Sequence, residues 1–257
     1  MITIEDLQIS YGERIVSHVD HLQVADGEIV GIAGESGSGK SQAALAILGL
    51  SRSRGAKVTG SVKLDGKELL SLSQRQWRTV RGKKIGFIMQ SPKSAWNPTF
   101  RIGSIFESTL RMHGVERSEI RKRAEKSLNE VVLEPEILNR YPHQVSGGQA
   151  QRLAIALVAA LGSQVIIADE PTSALDVTVQ SEVIELLKNL RERHGTSMIF
   201  ISHDLAVIGE LADQVLVMKS GKVIEHGPTK RILVHPSQDY TLQLLEAVPR
   251  IGKGRIQ

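Results

Sequence analysis

An α/β fold is predicted, with a parallel sheet core, an antiparallel β region and an inserted helical segment. Between residues 165 and 218, short β-branched runs alternate with helical stretches, which is typical of parallel strands joined by crossover helices. Residues 60–66 form a strand-like run that ends in an Asp-Gly turn, which favours antiparallel pairing. Between residues 91 and 162 the alternation gives way to amphipathic helical stretches, which therefore interrupt the sheet.

The composition is that of a folded protein. The chain has 257 residues, of which 41% are hydrophobic and 23% charged, enough for one large domain or two subdomains that share a core. No apolar run is long enough to span a bilayer, and the first residues lack a basic region followed by an apolar one, so we expect neither a transmembrane helix nor a signal peptide. Cysteine is absent, which excludes disulfides and thiolate metal sites and agrees with a reducing compartment.

The charge distribution does not indicate a nucleic-acid partner. The formal net charge is +4, from 32 basic and 28 acidic side chains. The densest basic cluster, residues 117–126, contains Glu119 and Glu125 among its bases. At helical spacing such a mixture is typical of a solvated face, so no nucleic-acid binding is predicted.

The elements of the first third alternate between strands and turns. Apolar residues at Ile2, Ile4, Leu7 and Ile9 predict a half-buried strand that ends at residues 11–12. A pair of strands is predicted next, and a turn then leads into a buried strand and a helix closed by glycine. The predicted ranges are strands 14–19, 21–24, 28–33 and 60–66, and helix 42–49.

The rest of the chain changes character twice. After a buried strand, Pro92 and Pro98 mark an irregular connector, and amphipathic helices follow. The α/β alternation then resumes and ends in a hairpin at residues 220–221 and a short C-terminal helix. The predicted ranges are strands 84–89, 165–168, 197–201 and 214–218, and helices 102–113, 118–132, 146–161, 177–193 and 204–211.

Residues 34–41 fit the phosphate-loop pattern G-x-x-x-x-G-K-[ST], between a strand and a helix as the motif requires. Backbone N–H groups and the helix N-terminus would surround an anion, Lys40 would meet the β- and γ-phosphates, and the Ser41 hydroxyl could ligate Mg²⁺. A glycine-rich turn without a ligand is the alternative, which the flanking elements disfavour. The predicted nucleotide-binding residues are Gly34, Glu35, Ser36, Gly37, Ser38, Gly39, Lys40 and Ser41.

Two carboxylates follow the buried strand 165–168, at the edge where open α/β sheets bind ligands. Asp169 is predicted to hold Mg²⁺, directly or through water, and Glu170 to act on the attacking water as general base or orienting group. Taken alone, the pair could equally begin the next helix as caps. With a phosphate loop upstream, the catalytic interpretation is favoured.

Three further side chains are candidate site residues because of where they lie relative to the predicted strands. His203 ends a buried strand at the same edge and could donate a hydrogen bond to the γ-phosphate. Gln90 also closes a strand and could contact both metal and water. Tyr11 lies where an aromatic ring could stack on a base, although it could simply cover the strand end.

A motif absent from phosphate-loop proteins in general lies at Val145-Ser146-Gly147-Gly148-Gln149. With residues 34–41, Gln90, 166–170, 173–176 and His203, its order and spacing resemble the nucleotide-binding subunit of ABC transporters over essentially the whole chain. Val145 stands where that family commonly has leucine. The resemblance implies a P-loop NTPase fold and one ABC ATPase domain, 1–257. Residues 1–90 and 163–257 would form the RecA-like core with the antiparallel β subdomain, and 91–162 the helical subdomain with the signature motif.

The same resemblance implies an assembly. ATP and Mg²⁺ would be the cofactors, and two subunits, identical or paralogous, would stack head to tail. Ser146, Gly147, Gly148 and Gln149 would then serve the partner's ATP, with Asp176 across the same interface. Gln90 would link the nucleotide to integral membrane permease subunits docked near residues 91–106. An extracytoplasmic substrate-binding protein would act indirectly, and the chain would lie peripherally on the cytoplasmic face of the membrane.

A narrower resemblance concerns the cargo. Residues 88–98 and 235–241, with Ala247-Val248-Pro249, are similar to the peptide and nickel importer branch. The chain stops soon after Pro249 and has no cysteine, which makes it more similar to the nickel or metal-chelate members. The alternatives are a soluble ABC-type ATPase acting on nucleic acid or ribosomes, an exporter ATPase subunit, and a small-molecule kinase, which leaves residues 146–149 unexplained. Beyond this family-level resemblance, the sequence does not indicate the transported substrate.

Overall fold

One ten-stranded mixed sheet forms the centre of the computed structural model, which describes residues 1–247. The strands are β1 (Ile2–Tyr11), β2 (Arg14–Val24), β3 (Ile29–Ala33), β4 (Lys57–Leu64), β5 (Lys67–Glu68), β6 (Ile85–Ile88), β7 (Val165–Asp169), β8 (Ser197–Ser202), β9 (Gln214–Lys219) and β10 (Lys222–Pro228). Their order across the sheet is β5-β4-β1-β2-β10-β9-β3-β8-β7-β6.

Five neighbouring strands, from β9 to β6, run parallel and form the predicted core. All residues of β3 and β8 are buried, as expected for strands covered on both faces by helices. Because these strands are parallel, the residues that follow β3, β6, β7 and β8 meet at one edge of the sheet.

The antiparallel strands belong to the same sheet as the parallel core. The sequence predicts an antiparallel unit packed beside the core, but β10 pairs with β9 on one side and meets β2 on the other. The junction is narrow: Lys222 is in register with His18, and the His18 N–H donates to the Gly221 carbonyl at 2.6 Å. The Asp65-Gly66 turn has positive φ at both residues, as predicted for an Asp-Gly hairpin.

The strand pair predicted at 14–19 and 21–24 is wrong, because β2 is one continuous strand. Its register with β1 passes Asp20 unchanged, from Leu7↔Val19 to Glu5↔His21. Asp20, which lies between the two predicted strands, is an exposed residue within β2. Pairing with β1 along its whole length therefore overrides the local signal.

Helices cover both faces of the sheet. The labelled helices are α1 (Lys40–Ile47), α2 (Gln74–Val80), α3 (Pro92–Ala95), α4 (Ile102–Met112), α5 (Arg117–Glu130), α6 (Gly147–Leu161), α7 (Val177–His194), α8 (Leu205–Leu211), α9 (Thr229–Val234) and α10 (Asp239–Glu246). Short 3-10 turns occur at Arg52–Arg54, Pro135–Asn139 and Pro142–Gln144. One hydrophobic cluster joins α4 to α8 with one face of the sheet, and a second joins α1 and α2 with the other face and the antiparallel strands.

Three details of the helices differ from the sequence predictions, the first being α2, which was not predicted. The connector that begins at Pro92 contains the short helix α3, because proline is well tolerated in a first helical turn. The predicted single C-terminal helix is two helices, since Pro236 follows the end of α9 and α10 begins three residues later. Val248 and Pro249, which belong to the predicted branch motif, lie outside the described residues.

None of the helices within residues 1–247 has both the length and the apolar character needed to cross a membrane.

Candidate functional site

The phosphate loop joins β3 to α1 in a conformation that requires glycine at two positions. Gly34 has φ +147°, and a Cβ there would lie 2.3 Å from the Met218 carbonyl oxygen. Gly39 has φ +101°, and its Cβ would lie 2.6 Å from the Val16 carbonyl oxygen. The backbone is thus pressed against two strand ends, and α1 begins immediately after Gly39 with no side chain capping it.

Lys40 is held inside the curl of this loop. Its ammonium donates to the carbonyl oxygens of Gly34 at 2.6 Å and Glu35 at 2.7 Å, and the residue is 4% exposed. Burial lowers the pKa of Lys40, while the carboxylates of Glu170 and Asp169 act in the opposite direction. The loop therefore holds a cation close to Asp169, the predicted metal ligand, and Glu170, the predicted catalytic carboxylate.

Two of the three predicted protein ligands of Mg²⁺ contact each other, and Gln90 is the third. Ser41 Oγ at the start of α1 donates to Asp169 Oδ1 at the end of β7, at 2.9 Å. Burial raises the pKa of Asp169, and Glu170 raises it further, against the bond from Ser41. A hydroxyl and a carboxylate oxygen in this arrangement suit a hard divalent cation such as Mg²⁺, so the residues fit the predicted metal.

Glu170 contacts two other predicted site residues, Gln90 and His203. Its Oε2 is 3.3 Å from Gln90 Nε2, which donates to it, and 3.3 Å from His203 Nδ1. Gln90 also donates to Ser173 Oγ at 3.1 Å. Glu170 has φ +45°, an uncommon conformation for a non-glycine residue, and its N–H is held by the Ile201 carbonyl at 2.9 Å. A constrained backbone thus aims this carboxylate between Gln90 and His203.

These residues surround a cleft of about 1150 Å³ at the carboxyl edge of the parallel strands. Predicted residues in its lining are Glu35, Ser36, Gly37, Gly39, Lys40, Ser41, Gln90, Glu170 and His203. Three predicted residues do not line the cleft. Gly34 and Ser38 are buried behind the surface of the loop, and Asp169 lies beside Ser41.

Several lining residues were not predicted. Ser173 and Ala174 belong to the segment 173–176 already noted for its resemblance, and Gln42 follows Ser41, so a motif was an available signal for all three. The others come from distant parts of the chain, and no sequence pattern connects them with a phosphate loop. These are Arg14, Ile15 and Val16 of β2, Ser220 and Gly221 of the hairpin, and Gln243, Leu244 and Ala247 at the C-terminal helix.

Tyr11 is half-buried and does not line the cleft. Its hydroxyl donates to Gln42 Oε1 at 3.2 Å, and Gln42 does line it. Stacking of Tyr11 on a base therefore stays a prediction.

The predicted signature residues form a second region, at the start of α6. Ser146 and Gly147 are exposed, and none of residues 146–149 lines the cleft. This helix start contacts that of α7: a Cβ on Gly148 would lie 2.7 Å from Val179 Cγ1, and Asp176 Oδ1 accepts from the Val179 N–H at 3.0 Å. The structure thus brings the signature residues close to Asp176 and leaves both outside the cleft of their own chain.

A parallel sheet with a phosphate loop, a Ser–Asp pair and a constrained glutamate at one edge defines a phosphate-loop nucleoside triphosphatase. The family model described as "ABC transporter" matches residues 18–173, more than half of the chain, and the chain belongs to this family. It is an ATP-binding subunit and an ATPase.

Similar proteins cover nearly the whole chain. The probable peptide ABC transporter ATP-binding protein y4tR of Sinorhizobium fredii is 40% identical, over 99% of this chain and 78% of that protein. The probable D,D-dipeptide transport ATP-binding protein DdpD of Escherichia coli is 44% identical, over 91% of this chain and 73% of that protein. A solved dimeric structure of the ATP-binding cassette MJ0796, in a post-hydrolysis state with ADP and Pi, is 32% identical with a TM-score of 0.78, over 89% of this chain and 99% of that one.

Proposed function

We propose that this chain is the ATP-hydrolysing subunit of a peptide importer, and that it works as a head-to-tail dimer beneath a membrane permease. The observation that carries the hydrolytic part is the convergence of Gln90 and His203 on the Glu170 carboxylate. Three side chains from three different strand ends meet at one point beside a phosphate loop, which is what oriented attack of water requires.

The roles of the residues follow from their positions. Lys40 and the loop N–H groups would hold the phosphates of ATP, and Ser41, Asp169 and Gln90 would hold Mg²⁺, which supplies neutralising charge when bound. Glu170 would orient the attacking water and accept its proton. Gln90 would place the Glu170 carboxylate, and His203 would donate a hydrogen bond to the γ-phosphate. Tyr11 would stack on the base.

The second region calls for a second subunit. Residues 146–149 and Asp176 lie together outside the cleft of their own chain, and Ser146 begins a long helix whose N-terminus favours an anion. In a head-to-tail dimer each signature helix would close on the ATP of the other subunit. ATP would then stabilise the closed pair, and hydrolysis would remove that preference. MJ0796, a dimeric cassette, supports this arrangement by analogy.

The remaining partners are proposed from the family. A permease would dock near residues 91–106, where Phe100 is 54% exposed, and residues 91–162 would form the helical subdomain that transmits its movement. An extracytoplasmic binding protein would deliver the cargo, so the chain would lie on the cytoplasmic face. Relatives named for peptides and D,D-dipeptides support a peptide cargo. The sequence-based preference for a nickel or metal-chelate cargo stays a prediction.

The dimer is tested by mixing two inactive variants. Lys40→Ala removes the cation from one kind of site, and Ser146→Arg obstructs the other. A mixed dimer contains one site with an intact loop and an intact signature helix, so ATP hydrolysis should partly recover on mixing. Phosphate release from each variant alone supplies the baseline, and no recovery at any mixing ratio contradicts action in trans.

The cargo is tested in the assembled transporter. The chain, its permease and its binding protein are reconstituted in vesicles, and ATP hydrolysis is measured with a short peptide, a nickel chelate or neither. Stimulation by the peptide alone supports the proposal. Stimulation by the nickel chelate alone would overturn it in favour of metal uptake.

A further inference from the structure

The C-terminal helix α10 reaches the phosphate loop through one tyrosine. Glu35 N–H donates to the Tyr240 hydroxyl at 3.0 Å, and Tyr240 is 6% exposed. Lys219 Nζ lies 4.5 Å from the centre of the ring, so the ring is also held against the end of β9. More than two hundred positions along the chain separate Glu35 from Tyr240, and the contact exists only through the fold.

The bond fixes one particular peptide unit. The N–H of Glu35 and the carbonyl of Gly34 belong to the same peptide plane. Tyr240 takes the N–H side, while Lys40 Nζ takes the carbonyl side at 2.6 Å. Lys40 is also the residue proposed to meet the phosphates. The bond to Tyr240 therefore restrains this peptide even if the Lys40 ammonium leaves the Gly34 carbonyl for another partner.

The helix that carries Tyr240 is itself anchored in the core. Glu225 on β10 accepts from Thr241 Oγ1 at 2.7 Å, and from the N–H and Oγ of Ser237 at 2.8 Å each. Burial alone would raise the pKa of Glu225, but these hydrogen bonds outweigh it and the pKa is lowered. Gln243, one turn along α10, lines the cleft. Tyr240 is thus carried by a segment that hydrogen bonds anchor to β10.

We propose that Tyr240 is a positioning residue of the nucleotide site, which holds the Gly34–Glu35 peptide in the orientation that the phosphate loop needs for ATP. The segment 235–241 resembles the importer branch in sequence, and hydrolysis by Glu170 gives its tyrosine no role. This contact supplies one. The inference rests on the proposed placement of the ATP phosphates at this loop and is independent of cargo, permease and dimer.

The test is Tyr240→Phe in the full chain, which removes the hydroxyl and keeps the ring over Lys219. We expect the Glu35 amide to exchange with solvent faster, and the Kd for ATP to rise, each by roughly threefold to tenfold, the equivalent of one intramolecular hydrogen bond. The KM for ATP should rise with kcat nearly unchanged, because the bond does not touch the reacting atoms. Tyr141→Phe is the matched control, since Tyr141 lies outside the cleft and stacks on His143.

Amide exchange followed by NMR and ATP titration by calorimetry separate the outcomes. An unchanged Glu35 amide, or an unchanged Kd, would overturn the proposal. So would equal changes in Tyr141→Phe, or faster exchange of amides throughout the chain, because either would mean a general loss of stability. Wild-type protein that binds no ATP would instead refute the placement of the phosphates, and Glu35 exchange would still report on the Tyr240 bond.

Discussion

Two helices of this protein begin at the surface in opposite ways. α1 follows Gly39, and no side chain caps its first turn. α6 follows Ser146, whose Oγ accepts from the Gln149 N–H while Gln149 Oε1 accepts from the Ser146 N–H, both at 3.1 Å. The first N-terminus leaves its N–H groups to a ligand, and the second satisfies two of them itself.

The residues around the two helix starts also differ. The start of α1 lies among Lys40, Ser41 and Asp169 of its own chain, so a phosphate and a metal ion find their partners there. The start of α6 has an exposed Ser146 and Gly147. The first region draws its lysine, its Ser–Asp pair and its glutamate from one chain, whereas the second offers only a capped and exposed helix start. This contrast is why the two regions are proposed to meet across a dimer.

The largest expected effect comes from Glu170→Gln, at the phosphate-loop site. The amide keeps the size of the side chain but cannot accept a proton, so turnover should fall by roughly a hundredfold to ten-thousandfold. ATP should still bind and favour the dimer, because the loop and Ser41 are unchanged. Phosphate release and size-exclusion chromatography with ATP measure the two effects. Glu185→Gln, an exposed carboxylate on α7, is the control, and near-normal turnover of Glu170→Gln would contradict the role of Glu170.

Lys40→Ala should act on binding. Loss of a charged hydrogen bond to phosphate should weaken ATP binding by roughly tenfold to a hundredfold. Calorimetric titration measures it, and Lys63→Ala is the control because Lys63 pairs with Glu5 on the antiparallel strands, away from the cleft. If ATP affinity were unchanged, the uncapped helix start would not be the phosphate site.

Ser146→Ala separates capping from catalysis at the second helix start. The change should cost about 1 kcal/mol of unfolding free energy, as loss of a capping box does. Ser73→Ala removes the same kind of box from α2 and should cost a similar amount. Denaturant unfolding and ATP turnover, measured on both, distinguish the roles. Only Ser146→Ala should lose turnover, and equal turnover in both variants would reduce Ser146 to a structural cap.

The smallest effect concerns the ionisation of Asp169 at the phosphate-loop site. Because the pKa of Asp169 is raised in the folded state, ionisation of Asp169 destabilises the apo protein as pH rises above the unfolded value of 3.8. Asp169→Asn cannot ionise, so without nucleotide or metal it should melt at a higher temperature than wild type. The gap should widen as the pH rises above 3.8 and level off once the pH exceeds the raised pKa of Asp169 in the folded state. Melting curves in a chelator measure it, and a gap that narrows with rising pH would contradict the raised pKa.

Local patterns predicted most of the fold because their causes are local. The buried strands were visible as β-branched runs, and α6 as a predicted helix at 146–161. Local reasoning failed where pairing decides the outcome: two strands were predicted at 14–19 and 21–24, yet β1 holds β2 together as one strand. The junction of β10 with β2, which unites the two parts of the sheet, has no local sequence signal either.

For the site, the sequence alone identified the residues that are predicted to carry out phosphate chemistry. Short sequence motifs reveal the groups that this chemistry uses, namely a glycine-rich loop, an Asp-Glu pair at one strand end and a His at another. The tertiary structure decided which residues contact each other. Gln90 and His203 both contact one Glu170 oxygen, and the Tyr240 hydroxyl accepts from the Glu35 N–H. Those contacts join residues tens to hundreds of positions apart. They arise from strand order and helix docking, which are set by the burial of the whole core and not by any short segment.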